Sequence, residues 1–278
     1  MKVVRQIART ILLVLLYNIG MISAYRVLHY YTRNIPLIQT AHLDEVVVVL
    51  LTILISAIYI QTNKRYGIKL VKATQFKDRL LGIGYGMIFY SVLSVVMYLI
   101  PQAVYIKTDY NVHTTTENIL NIQGYTKIAE THSQTLTLVF MLLMFVLQIA
   151  ILPPLREELL YRGIVFNELA YASPILGMIA SSVYFGASHT TLIQEIYAMF
   201  MGFMFVILNF RRRSIRPSIY AHMTINLLGT CFPVIFAIFN LSWDWKYKTA
   251  VFITGITIIM LVYKKEKSYD NSNSRKDE

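Results

Sequence analysis

Three short stretches of this sequence set ionisable and amide side chains at helical spacing: Glu157-Glu158 with Arg162, Phe185 with His189, and His222 with Asn226. Residues four apart share a helix face, so Glu158 can pair with Arg162. Glu157 then points about 100° away, beside Tyr161, and is left free for another task. His222 and Asn226 project together in the same way. A carboxylate beside an imidazole can hold a water and take its proton, and a second imidazole with a carboxamide supplies donors for a developing oxyanion. Those are the groups needed to hydrolyse an amide. Glu157, His189 and His222 are also the donors a divalent metal such as zinc would use, although there is no HExxH spacing and the ligands would come from three helices.

The elements that must position these groups follow from composition. The chain is 56% hydrophobic and 15% charged over 278 residues, the balance of a multi-span membrane protein. A bilayer core of about 30 Å takes roughly 20 apolar helical residues per crossing. Apolar runs lie at Thr10 to Leu28, Leu43 to Ile60, Leu80 to Ile100, Leu136 to Leu152, Pro174 to Ala187, Leu192 to Asn209, Ser218 to Phe239 and Ala250 to Tyr263. They predict an all-α polytopic transmembrane bundle of about eight spans, since a barrel would show short alternating strands. Placing both termini in the cytoplasm leaves only Arg26, Arg33, Lys107, Lys127, Lys246 and Lys248 of the 26 Lys and Arg outside, as the positive-inside rule requires. The net charge of +11 is thus topological and does not point to nucleic acid.

Residues 1–264 read as one transmembrane domain and 265–278 as a disordered cytoplasmic tail, with Gln102 to Gln134 as an outer loop. The first run is a retained span, since it lacks a small-residue cleavage site. Cys231, the single cysteine, excludes a disulfide framework and reads as a packed side chain. Glu195 reads as interfacial. Ionisable groups inside spans are costly and mark function by default. Pro153-Pro154 predicts a helix break followed by a restart, and Ala172-Ser173-Pro174 a turn. Glu157 lies 15 residues before Ala172 and His189 17 after it, so the two sit at nearly the same depth of a helical hairpin. His222 follows the basic Arg211 to Arg216 loop by about 9 Å of helix, which puts the shared site in the cytoplasmic half.

At these residues the sequence resembles the CAAX-protease and bacteriocin-processing family of intramembrane endopeptidases, also called the Abi family. Its EExxxR motif appears as Glu157, Glu158 and Arg162, its FxxxH as Phe185 and His189, and its HxxxN as His222 and Asn226. The resemblance spans a core of about 136–239. It implies a glutamate-dependent peptidase in which Glu157 with His189 activates water, His222 and Asn226 stabilise the oxyanion, and Glu158, Arg162 and Phe185 support the site. It implies either no cofactor or a divalent metal. The implied partner is a membrane-associated peptide or protein substrate in the lipid bilayer, with a signalling or bacteriocin partner besides, and the implied location is a bacterial cell membrane. The alternative is a non-catalytic membrane scaffold or bacteriocin-immunity protein of the same fold. A proton-coupled transporter is a third reading, without the repeat symmetry that would support it.

Overall fold

Helices occupy the apolar runs, and several extend well beyond them. The computed structural model describes residues 2–34, 43–64, 66–70, 75–99, 134–239 and 241–274. Among them run eight helical segments: α1 (Lys2–Thr32), α2 (Leu43–Thr62), α3 (Gln75–Leu99), α4 (134–170), α5 (Pro174–Ala187), α6 (Leu192–Arg212), α7 (216–238) and α8 (Trp245–Ser274). The expected outer loop lies outside the described residues, apart from its last position at the start of α4. Residues 265–274, expected as disordered tail, continue α8, and 275–278 lie outside the described residues. Extended pairing among the described residues is limited to one isolated bridge, Lys69 with Ser214.

Six helices, α1, α2, α3, α6, α7 and α8, are long and apolar enough to cross a membrane. The fold is all-α, about eight spans fit it, and the protein is an integral membrane protein. Helix α5 is a shorter apolar helix, begun by Pro174 and by Ser173, whose hydroxyl accepts from Leu176 N at 3.3 Å. Such an N-cap and first-turn proline satisfy or remove donors that a helix start leaves orphaned. Thr191 caps α6 in the same way, accepting from Gln194 N at 3.3 Å.

Helix α3 packs on α7 and α8, α5 on α6, and α1 on α2. Lipid tails offer no hydrophobic drive between helices, so close approach depends on small residues. At Gly86 of α3 an added Cβ would meet Ala221 O of α7 at 2.6 Å. The absence of a side chain there brings α7, which carries His222 and Asn226, against α3.

One expectation is corrected. Pro153-Pro154 do not break the helix: α4 runs on, with its hydrogen bonding shifted into a π-helical turn over Leu147–Ile151. Leu152 N–H donates to Leu147 O, five residues back. The donors that would serve Ile149 O four or five residues on belong to Pro153 and Pro154, which have no N–H. The wider turn accommodates that loss without ending the helix. Further π-helical turns occupy Leu159–Phe166, which includes Arg162, and Leu227–Cys231, directly after Asn226 and before Pro233.

Candidate active site

Glu158 and Arg162 sit on α4 at the spacing of four that the sequence offered, with Arg162 Nη1 2.9 Å from Glu158 Oε1. Both side chains are 0% exposed. A buried pair of this kind persists only when further contacts answer its charges. Arg162 turns its guanidinium onto aromatic faces, 4.2 Å from the Phe185 ring centre and 5.3 Å from that of Phe205, where the ring quadrupole attracts the cation. A Cβ on Gly202 of α6 would lie 3.0 Å from Arg162 Nη2, so a glycine there makes the room. Glu158 also binds His222, whose Nδ1 is 3.0 Å from Oε1. That link joins α4 to α7 across 64 residues.

Glu157 lies outside this clamp. Its side chain is 21% exposed and lines a cavity of about 600 Å³. It is not wholly unpaired, as the sequence suggested: Arg156 Nη2 lies 3.5 Å from its Oε1. The imidazole within ion-pair reach of Glu157 is that of His222, with Nε2 3.9 Å from Oε2.

His189 lies just beyond α5, in the turn to α6, and not on a helix as the motif spacing implied. Its Nδ1 is 2.9 Å from Phe185 O. A carbonyl only accepts, so Nδ1 carries the proton, and Nε2 of the neutral ring keeps its lone pair. The carboxylate partner of His222 Nδ1 fixes the same tautomer there. Phe185 stands edge-on to both imidazoles, 5.0 Å from His189 and 5.5 Å from His222 between centroids. It is a spacer between the two rings as well as the face that meets Arg162.

Asn226 Nδ2 donates to Ile149 O at 3.0 Å, the carbonyl that Pro153 and Pro154 leave without a helical donor. The amide keeps a second N–H on Nδ2. Glu157, Phe185, His189, His222 and Asn226 all line the one cavity, whereas Glu158 and Arg162 lie beneath it. The cavity also takes in Tyr90 of α3, Phe205 of α6, Trp243 beyond α7 and Lys248 of α8, none of which the sequence reading assigned to the site. Trp243 Nε1 donates to Tyr90 OH at 2.7 Å, tying that wall together. Ordinary aromatic residues in apolar runs carry no spacing signal.

A metal does not fit this arrangement. Among the described residues no three His, Cys, Asp or Glu side chains come together as a metal would need.

Residues 139–228 match the family described as Type II CAAX prenyl endopeptidase Rce1-like. The match contains all seven motif residues, covers less than half of the chain, and is consistent with the CAAX-protease and bacteriocin-processing family. That likeness supports an intramembrane protease at the level of the family. No match is found among curated proteins or solved structures.

Proposed function

From a CAAX-protease-like domain in residues 139–228, we propose that the protein is an intramembrane endopeptidase in which Glu157 is the general base for a hydrolytic water. The observation that carries this reading is the convergence of Glu157, His189, His222 and Asn226 on one cavity, with the second carboxylate sealed below it. A water between Glu157 and the bare Nε2 of His189 loses a proton to the carboxylate as its oxygen attacks the substrate carbonyl carbon. The tetrahedral oxyanion accepts from the free Nδ2–H of Asn226 and from His222. His222 Nδ1 is already bonded to Glu158, so it is Nε2–H of the imidazolium form that meets the oxyanion. The proton held on Glu157 passes to the amine as the C–N bond breaks. Glu158 and Arg162 act by holding His222.

The substrate is a membrane-associated peptide or protein whose backbone enters the cavity beside Tyr90 and Trp243. The test compares wild type with Glu157→Gln, each purified and returned to vesicles carrying a pool of membrane peptides, with new N-termini counted by mass spectrometry. Glu157→Gln is expected to lower cleavage by about 10²- to 10⁴-fold with the melting temperature kept. Cleavage by Glu157→Gln at the wild-type rate sinks the proposal and leaves a binding scaffold of the same fold as the better reading.

A further inference from the structure

Basic residues crowd the end of the bundle where a three-residue connection joins α6 to α7. Several of them are committed to the fold. Lys69 Nζ donates to the carbonyls of Ile60 and Asn63 at the end of α2. Arg212 bridges Asp78 at 2.9 Å and Glu266 at 3.0 Å, and Arg216 Nε donates to Leu70 O at 2.7 Å. Arg213 stands apart from these.

Among the described residues Arg213 is the one non-glycine residue of positive φ, at 50°, and it forms the left-handed cap that ends α6. Its side chain lines a cavity of about 290 Å³ with Phe166, Ala170, Pro174 and Phe210. Its Nη1 lies 4.0 Å from where a side chain on Gly67 would begin. Among the described residues no hydrogen bond or ion pair takes up its guanidinium. The cavity therefore presents one exposed cation above an aromatic and aliphatic floor, a chemistry that fits an anion joined to hydrocarbon. It opens at the ends of two membrane-crossing helices, α6 and α7, the level at which phospholipid headgroups lie.

We propose that this cavity binds one anionic glycerophospholipid, its phosphate on Arg213 and the start of its acyl chains against Pro174 and Phe210. The planar guanidinium suits phosphate oxygens, which it can bind through two parallel N–H bonds. Arg211, exposed and outside the cavity lining, contributes only screened, undirected attraction. The lipid site shares no lining residue with the catalytic cavity, and it does not depend on the peptidase reading.

The test uses the full chain in phosphatidylcholine nanodiscs with graded phosphatidylglycerol, and native mass spectrometry to count lipid retained per chain. Arg213→Gly removes the cation and suits the left-handed backbone, so the fold is kept. Wild type is expected to hold one phosphatidylglycerol, Arg213→Gly to bind it at least tenfold more weakly, and Arg211→Ala to change binding less than twofold. Wild-type retention by Arg213→Gly overturns the proposal. Equal losses in the two variants also overturn it, because they describe a diffuse basic surface. Displacement of the lipid by millimolar inorganic phosphate makes the site one for a free anion and overturns it as well.

Discussion

A carboxylate sealed at 0% exposure, as Glu158 is, survives inside a bundle only while its charge is answered. Arg162→Met removes the answer and is expected to destabilise the protein by about 3 to 5 kcal/mol, read from unfolding in detergent. Replacing Glu158 and Arg162 together by apolar residues is expected to cost less than the single change, since no lone charge stays behind. The pairing of these two residues was legible in the sequence because a spacing of four puts them on one face. The bond from Glu158 to His222 was not, because nothing periodic connects residues 64 apart. Nor could spacing show that His222 comes within ion-pair reach of Glu157.

At the scale of the helix, the two prolines of α4 act through what they lack. Ile149 O has no helical donor four or five residues on, and Asn226 Nδ2 takes it instead. Pro153→Ala restores an N–H at the position that an α-helix would use, so the carboxamide acquires a competitor. The expected outcome is up to about 10²-fold lower turnover, the scale of losing an oxyanion donor, with melting temperature held or raised. A fall in turnover accompanied by an equal fall in stability would instead mean that the proline only shapes α4. The sequence displayed both prolines, yet their ordinary meaning is a helix end. Whether a helix stops or shifts into a π-helical turn depends on the packing of α7 against it, which composition does not record. The spans themselves were readable because bilayer thickness fixes how long an apolar run must be, and α5, capped by Ser173 and Pro174, starts where its turn residues placed it.

Across the whole molecule, a second polar knot lies away from the catalytic cavity. Tyr66, in the connection between α2 and α3, donates to Glu168 Oε1 of α4 at 2.8 Å, and Arg9 of α1 reaches Oε2 at 3.1 Å. Burial first, and then the bond to Glu168, push the Tyr66 phenol well above its ordinary value of 10.0. An acid whose pKa is raised on folding contributes stability that is fully present below the unfolded value of about 10 and lost as pH rises above it. Unfolding midpoints measured from about pH 8 to pH 12 are therefore expected to fall on the alkaline side for wild type, and to fall less for Tyr66→Phe. An unchanged alkaline slope in that variant would assign the loss to other groups. The same knot bears on how the chain is built. Within α4, Glu157 has Arg156, Glu158 has Arg162, and Glu168 has Arg9 from the earlier helix α1. Every acid in that helix finds its counter-charge in chain already synthesised when it emerges from the ribosome. Its entry into the bilayer need not wait for α7, which brings His222 to a carboxylate already neutralised and Asn226 with it.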